Sequence, residues 1–399
     1  MNRNQLLRIW LGCCVEGAVR DGPSLEDAFR GDIEAIYNAD EYTKVGNLRE
    51  TTLKRLENKD LSEAERIAEY CENRNIQVIV PRDTLFPQRL SLAFDRPMLL
   101  YVKGNLTELN NRLCVAVVGT RKMSDYGARC AYSITYDMAK AGAVIVSGMA
   151  TGVDGTAHRA ALDAGGYTIA VLGNGLDRAY PAEHHFLMDE IEKNGCVISE
   201  FKPFTPPYKW NFPMRNRIIS GICQATFVAE APERSGALNT AAHALEQRRK
   251  IYAVPGRIGE GSTAGTNGLL RNGATTVSSG REIIADFSDR YATLDETKIT
   301  SSPVAEIIIE QTAALRKKAS TPHKAKAVPI ETPNVKIDTD GLEPDEAAVM
   351  SCFSCGRTLS VDEIVASTGL AVSTVLSSLT VLEIYGRIIS LPGEKYVAE

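Results

Sequence analysis

The sequence predicts an α/β protein with a parallel, doubly wound sheet in the middle, a helical domain before it and a winged-helix domain after it. Three observations support this fold class. Apolar runs alternate with helical segments through the middle of the chain, residues 1–75 show helical spacing alone, and residues after about 340 show two helices and then two strands. A length of 399 residues also favours two or three domains over one.

Residues 1–75 are predicted to form a small helical domain. A helix-hairpin-helix DNA contact is the alternative interpretation, but no Gly-x-Gly hairpin with flanking basic residues is present. The links between the helical segments are short, as at Val45–Gly46. The segments with helical spacing are Leu6–Val15, Leu25–Phe29, Asp32–Tyr37, Leu48–Leu56 and Ser62–Asn73.

Residues 76–290 are predicted to form the sheet, with helices on both of its faces. Continuous apolar runs that alternate with helices are typical of parallel strands buried on both sides. The predicted strands are Leu113–Val118, Ala143–Ser147, Thr168–Leu172, Cys196–Ser199, Thr226–Glu230 and Ile251–Val254. The predicted helices begin near Tyr126 and include Ala157–Ala164, His184–Lys193 and Thr240–Arg248.

The first predicted strand ends in Gly119, and the basic residues Arg121 and Lys122 follow directly. In an open doubly wound sheet, ligands bind in the loops that follow the carboxyl ends of the strands. Gly119 lets the chain turn sharply and a ligand come close. The next residues are not the further glycines of a dinucleotide fingerprint, and Gly173-Asn-Gly175 also lacks the third glycine, so no nicotinamide or flavin cofactor is expected.

Two later loops, at Ser147–Gly148 and Ser235–Gly236, each lead from a predicted strand into a helix. Their backbone N–H groups could hold an anion at the helix start. Short hydroxyl residues and glycines are also common in well-capped turns. The sequence leaves both interpretations open.

A basic cluster follows an aromatic-rich loop and precedes an apolar, helical run: Phe212-Pro-Met-Arg215-Asn216-Arg217. Arginine offers a rigid fork of donors that matches phosphate, although it also forms ordinary ion pairs with carboxylates. Lys202 precedes this cluster in a loop at the same edge of the sheet. Rings among basic residues suit the unstacked bases of a single strand, although most of these rings are expected to pack beneath the loop. They are Phe201, Phe204, Tyr208, Trp210 and Phe212.

Seven motifs occur together and in order over about residues 80 to 287, and together they resemble the DNA-processing protein A family, also called Smf. They are Gly119-Thr-Arg121, Ser147-Gly148-Met-Ala-Thr-Gly152-Val-Asp154, Ala170-Val-Leu-Gly173-Asn-Gly175-Leu-Asp177 with Tyr180-Pro181, Ile198-Ser-Glu200, Phe212-Pro-Met-Arg215-Asn216-Arg217-Ile-Ile-Ser-Gly221, Ser235-Gly236-Ala-Leu-Asn-Thr240-Ala and Ala253-Val-Pro255-Gly256.

This resemblance implies an extended Rossmann-like domain that binds single-stranded DNA without sequence preference and brings the RecA recombinase to it. It implies that Arg121, Arg215 and Arg217 line the DNA pocket, and that the N-terminal helices form a sterile-alpha-motif-like (SAM-like) domain. The expected nucleic-acid site combines these arginines with the residues of the loops described above. It comprises Gly119, Arg121, Lys122, Ser147, Gly148, Lys202, Phe212, Arg215, Asn216, Arg217, Ser235 and Gly236.

The overall charge excludes a uniformly basic coat for DNA. Lys and Arg number 45 against 50 Asp and Glu, which gives a net charge of −5. We therefore expect a local pocket with few phosphate contacts and a correspondingly small salt dependence. Tight binding would then need oligomers, and a homodimer is expected through the apolar residues Ile251, Leu269 and Leu270.

An enzyme is the alternative hypothesis, since phosphoribohydrolases also have Rossmann-like sheets. Their signature resembles Pro-Gly-Gly-x-Gly-Thr-x-x-Glu, whereas the loop from Ser235 to Ala242 lacks the glutamate. Asp154 and His158 lie four residues apart on one helix and could form an acid–base pair or half a metal site. A capping aspartate and a packed histidine are commoner, so no catalytic residue, cofactor or metal is expected.

Residues 291–340 are predicted to be a flexible linker, since they are rich in Thr, Ser, Pro and Lys. Residues 341–399 then show the winged-helix pattern, with helices Val361–Thr368 and Ser373–Tyr385 and strands Arg387–Ser390 and Lys395–Val397. The second helix contains no Arg or Lys, which a helix that reads duplex DNA normally needs. Contact with protein or a structural role is therefore favoured over duplex binding.

Nine cysteines form no disulfide or zinc framework, and Cys352-Phe-Ser-Cys355 is a lone pair that we expect to be reduced. Neither a signal peptide nor an apolar stretch of membrane length is recognisable. The expected protein is cytoplasmic, has no membrane partner, and binds single-stranded DNA and RecA.

Overall fold

The computed structural model describes residues 2–18, 20–299, 342–353, 359–384, 387–391 and 395–398. These residues fall into two compact units, one on each side of the stretch 300–341. Most of the predicted linker, and Cys355 of the Cys-x-x-Cys pair, lie outside the described residues.

All five predicted N-terminal helices are present. Asn2 caps the first through a reciprocal pair of hydrogen bonds with Gln5, and the Asp32 carboxylate caps the third. Their apolar faces share one buried cluster with strand and helix residues of the sheet domain, so they pack directly on the sheet. The SAM-like assignment stays a prediction. The helices are α1 (Arg3–Cys14), α2 (Asp21–Ala28), α3 (Ile33–Asn38), α4 (Glu50–Glu57) and α5 (Ser62–Asn73).

A nine-stranded sheet follows, in the order β1-β2-β6-β5-β4-β3-β7-β8-β9. Neighbours from β6 to β9 pair in parallel, whereas β1 and β2 extend the β6 edge in antiparallel fashion. The six predicted strands and the Rossmann-like class are confirmed; β1, β2 and β9 were not predicted. The strands are β1 (Gln77–Ile79), β2 (Leu100–Gly104), β3 (Cys114–Val118), β4 (Val144–Ser147), β5 (Thr168–Leu172), β6 (Gly195–Ser199), β7 (Ala225–Val228), β8 (Lys250–Ala253) and β9 (Thr275–Thr276).

Helices cover both faces of this sheet, as a doubly wound fold requires. One buried cluster joins Ala131 and Ala157 to Val115 on β3, and another joins Ile218 and Ala237 to Val118 of the same strand. The helices are α6 (Gln88–Ser91), α7 (Asp125–Lys140), α8 (Val153–Asp163), α9 (His185–Asn194), α10 (Asn211–Ile222), α11 (Gly236–Glu246), α12 (Ala264–Arg271) and α13 (Gly280–Ala285).

The first unit continues past residue 290, where the sequence predicted the linker to begin. The Tyr291 hydroxyl accepts hydrogen bonds from Arg89 at 2.9 Å and from Gln224 at 2.7 Å. Leu294 and Ile299 pack against the sheet core. Residues 291–299 are therefore part of the sheet domain.

The second unit is a winged helix around a core that includes Val349, Phe353, Ile364, Leu379 and Leu382. Both predicted helices and the hairpin are confirmed, while an additional first helix and a short strand were not predicted. The elements are α14 (Pro344–Ser351), β10 (Leu359–Ser360), α15 (Val361–Thr368), α16 (Val372–Ile384), β11 (Ile388–Leu391) and β12 (Lys395–Ala398), with strand order β10-β12-β11.

Within the described ranges, no single helix is long and apolar enough to span a bilayer. The helix pair Val361–Thr368 and Val372–Glu383 reaches that length and composition only when taken together, across a bend of 112°.

A buried histidine holds α8 against β5. His158 is fully buried, and its Nδ1 lies 2.7 Å from the Thr168 hydroxyl, which itself donates to the Ile145 carbonyl. Burial, with smaller contributions from His184 and Arg215, lowers the pKa of His158 to about 3. The histidine is therefore neutral in the folded protein at ordinary pH.

This burial makes stability depend on pH. Between about pH 6.5 and pH 3 the unfolded chain binds a proton at residue 158 that the folded chain does not, so stability falls as pH falls through this window. Below about pH 5.5 the loss approaches about 1.4 kcal/mol per pH unit. We expect the free energy of unfolding of His158→Gln, measured in urea at several pH values, to change less steeply with pH than that of wild type, by about that amount. His185→Gln alters an exposed histidine and should retain the wild-type slope; equal slopes for all three proteins would contradict the assignment.

Candidate nucleic-acid interface

The strand order changes direction at β3. The chain passes from β3 through β4, β5 and β6 on one side, and then returns to β7 on the other side of β3. Loops from these neighbouring strands diverge at this point and leave a crevice outside their carboxyl ends. The loops after β3, β4 and β7 and the start of α10 all lie at this edge of the sheet.

Glu230, just after β7, organises the loop that carries Arg121. It is fully buried, and its carboxylate accepts hydrogen bonds from the Ser124 backbone N–H at 2.7 Å and the Ser124 hydroxyl at 2.8 Å. Its carbonyl oxygen accepts a further bond from Thr120 at 2.8 Å. A Cβ on Gly127 would collide with this carboxylate. Glu230 was predicted at the end of a strand, but its part in holding this loop was not predicted from the sequence.

Arg121 and Lys122 are the exposed cations of this loop. Neither forms an ion pair within the described part of the chain. The Arg121 guanidinium lies over the Phe212 ring, 5.5 Å from its centroid, and the Tyr180 ring lies 5.2 Å from the same ring. An unpaired guanidinium beside two rings offers both a phosphate contact and surfaces on which bases can stack. Tyr180 was not among the predicted site residues.

Arg215 lies beneath the crevice and is only 4% exposed. Its Nη1 donates to the Gly148 carbonyl at 2.7 Å and to the Val171 carbonyl, and its Nε donates to the Asn216 side chain at 3.2 Å. Burial lowers the pKa of Arg215 to about 10, while Asp154 favours its charged form. The predicted contact residue is thus held among backbone carbonyls, and it supplies positive charge from inside the protein.

The loop after β4 is shaped around that guanidinium. A Cβ on Gly148 would collide with Nη1 of Arg215, so a larger residue there would displace the buried guanidinium. The Gly148 N–H donates to Asp154 at 3.1 Å, and the Ser147 hydroxyl donates to the Val117 carbonyl at 2.6 Å. These polar groups are hydrogen-bonded within the protein, while Gly152 lies at the cap position of α8 and no side chain among the described residues caps that helix.

Arg217 is 3% exposed and faces carboxylates. Its Nη2 donates to both oxygens of Glu200, at 2.7 and 2.9 Å, and its Nε lies 3.5 Å from Asp95. This is the ion-pair alternative that the sequence left open. Arg217 joins α10 to the end of β6 and to the loop before β2.

The loop after β7 meets α10 through Asn216. The Asn216 amide donates to the Asn239 side chain at 3.2 Å and to the Gly236 carbonyl at 3.4 Å. Ser235 caps α11 by accepting from Ala237, and Gly236 is exposed with open space above it. Ser235 and Gly236 therefore lie beside α10 and border the crevice.

Lys202 points to the helical domain instead of the crevice. Its ammonium lies 2.7 Å from Glu63 and 3.0 Å from Glu16, and these carboxylates raise the lysine pKa against the opposing effect of burial. The side chain joins the two domains. Of the predicted site residues, it is the one that the structure separates from the others.

Asp154 and His158, the pair considered for catalysis, are both buried. Burial raises the pKa of Asp154, although Arg215 and two backbone N–H groups favour its charged form. His158 bonds to Thr168. Both side chains have structural partners beneath the loop after β4.

Two family profiles match this chain. DNA recombination-mediator protein A matches residues 77–288, and the DprA winged helix domain matches residues 336–394. The chain is 44% identical over 205 residues to DNA processing protein DprA of Streptococcus pneumoniae, covering 51% of this chain and 72% of that protein. It is 34% identical over 331 residues to protein Smf of Synechocystis, covering 82% of this chain and 81% of that protein.

Solved structures agree with these similarities. The X-ray structure of DNA processing protein A from Streptococcus pneumoniae has a TM-score of 0.60 and 33% identity, covering 72% of this chain and 98% of that one. The Helicobacter pylori protein, whose structure concerns its single-stranded DNA binding mode, has a TM-score of 0.50 and 30% identity, covering 55% and 99%. By sequence, domain order and fold, the chain belongs to the DNA recombination-mediator protein A family, also called DprA or Smf.

Proposed function

We propose that this protein binds single-stranded DNA at the crevice between β3 and β7, without sequence preference, and delivers the strand to RecA during DNA uptake and recombination. The observation that carries this proposal is the exposed, unpaired Arg121 over the Phe212 ring at the topological switch point. Phosphate contacts carry no base information, and stacking accepts every base, so such a site binds irrespective of sequence. Its relatives' DNA-processing names and the single-stranded DNA binding of the Helicobacter pylori protein support it.

We divide the predicted site residues into those that contact DNA and those that hold the contact residues in position. We assign direct contact to Arg121, Lys122, Phe212 and the exposed Gly236 loop. Gly119, Ser147, Gly148, Asn216 and Ser235 shape the crevice, and the buried Arg215 adds positive potential beneath it. Arg217 and Lys202 already have carboxylate partners and are assigned to the scaffold.

A hydrolase is the weaker candidate. Its acid–base pair would be Asp154 and His158, and both are engaged with backbone or side-chain groups away from the open crevice. We therefore propose a binding protein and not a hydrolase. As expected from the sequence, we further propose that it acts in the cytoplasm and needs no metal or cofactor. Release of base from a nucleoside monophosphate by the purified protein would contradict this proposal.

Dimerisation is proposed through the late part of the sheet domain, as in the sequence hypothesis. Ile251 and Leu269 pack against the buried core and Leu270 is half-buried, so part of each side chain remains for a partner. Pairing would place two small pockets on one strand and make the second contact intramolecular. A monomer in sedimentation at micromolar concentration would contradict it.

The RecA contact is tested by whether the protein speeds RecA nucleation on a single strand.

Arg121→Ala should weaken binding of a single-stranded oligonucleotide by about 1–2 kcal/mol and flatten the slope of log affinity against log salt by about 0.7. Arg121→Lys keeps the charge and should retain the wild-type slope. The measurement is a salt series with single and double strands of equal length, and single strands should bind more tightly. Arg74→Ala removes an exposed arginine of the helical domain and is the control. Equal binding of both DNA forms, or wild-type binding by Arg121→Ala, would contradict the proposal.

Arg217→Ala should act on stability. Removing the guanidinium leaves Glu200 without its partner. We therefore expect the free energy of unfolding, measured in urea, to be about 3 kcal/mol lower than that of wild type. Adding Glu200→Gln should restore part of that loss, because the unpaired charge is then gone. A folded Arg217→Ala protein of wild-type stability that loses the same DNA affinity as Arg121→Ala would instead make Arg217 a contact residue.

Deleting residues after 330 should leave single-strand affinity within about threefold, or 0.7 kcal/mol. The physical reason is charge: helix α16 has no Lys or Arg, its exposed face includes Val372 and Leu376, and acidic residues outnumber basic ones in 341–399. Gel shifts of the full chain and the shortened chain at one salt concentration measure this. A loss of tenfold or more would show that the winged helix contacts the strand.

A further inference from the structure

A second pair of rings lies next to the crevice and has no part in the site described above. Tyr208 and Trp210 stack face to face, with centroids 4.7 Å apart and planes 9° from parallel. Tyr208 is 45% exposed and Trp210 64% exposed. Large rings that stay exposed in water lose the free energy of burial, so a stacked and open pair is a candidate binding surface.

The backbone holds this pair in place before any ligand binds. The Tyr208 N–H donates to the Pro206 carbonyl at 2.8 Å, and the Tyr208 carbonyl accepts from Asn211 at 3.0 Å. The buried Asn211 side chain also donates to the Pro206 carbonyl, at 3.3 Å. A ring pair fixed in this way loses little conformational entropy when a ligand stacks on it.

The pair lies close along the chain to a ring of the proposed DNA crevice. Trp210 immediately precedes α10, and Phe212, which lies under Arg121, is two residues further along the chain. Two residues span at most about 7 Å. Lys209, between the two rings in sequence, is exposed and forms no ion pair within the described part of the chain. The ring that Arg121 covers and the stacked pair with Lys209 thus lie within four residues of one another along the chain.

We propose that the Tyr208–Trp210 pair is a stacking platform for bases of single-stranded DNA that leaves the crevice at Arg121 and Phe212. The inference rests on the proposed function and extends the bound strand along the loop before α10. Base–aromatic stacking accepts any base, which fits a site without sequence preference, and Lys209 supplies a phosphate contact. A protein partner could also use exposed rings, and the experiment separates the two.

The chain has two tryptophans, and Trp10 is buried in the helical domain. Trp10 therefore contributes constant emission, and a change in tryptophan emission on DNA binding reports on Trp210. A single-stranded oligonucleotide should quench wild-type emission but not that of Trp210→Phe, which keeps a ring and should bind with wild-type affinity. Trp210→Ala should bind about 5- to 150-fold more weakly, as expected for the loss of one base stack. Phe94→Ala removes a comparably exposed ring elsewhere and should bind like wild type.

Wild-type affinity in Trp210→Ala would overturn the platform and leave the rings to a protein partner. Comparison with Arg121→Ala distinguishes a failure of the platform from a failure of the proposed function. If Arg121→Ala weakens binding and Trp210→Ala does not, only the platform is wrong. If the wild-type protein does not bind single strands, the proposed function itself is wrong.

Discussion

The arrangement of the crevice depends on one buried charge, the guanidinium of Arg215. Taking a guanidinium out of water is costly, and it is tolerated here because the carbonyls of Gly148 and Val171 and the nearby Asp154 compensate for lost hydration. These partners come from the loop after β4, from β5 and from α8, so the charge fixes α10 against the sheet edge. The position of α10 in turn sets where Phe212 meets Arg121.

Glu230 performs the matching task on the other side of β3. Its carboxylate accepts hydrogen bonds from the backbone N–H and the hydroxyl of Ser124, the residue that caps α7, and thereby holds the loop that presents Arg121 and Lys122. Buried charges thus form the scaffold, while Arg121 and Lys122 stay exposed and form no ion pair within the described residues. This division explains how a protein with a net charge of −5 can present a small cationic site. In the proposed binding mode few phosphates contact the protein, and the proposed dimer supplies a second contact on the same strand.

Much of the fold was predictable because apolar periodicity marks buried strands and helices directly. The helix Ser62–Asn73 and the strand Thr168–Leu172 have the predicted bounds. Short edge strands such as Gln77–Ile79 carry too little pattern to be recognised. At the site, sequence placed Arg121, Arg215 and Arg217 at one edge, but it could not tell exposed from buried. That distinction depends on partners far along the chain, such as Gly148 for Arg215 and Glu200 for Arg217.

The central claim is that single-stranded DNA lies across the carboxyl edge of the sheet, between the loop of Arg121 and the start of α10. Photochemical cross-linking of the full chain to a single-stranded oligonucleotide, with the modified peptides identified by mass spectrometry, tests this claim most directly. We expect cross-links at the rings of that edge, Phe212 and Tyr180 first. Cross-links confined to the winged helix or to the helices of residues 1–75, with none at the sheet edge, would contradict it.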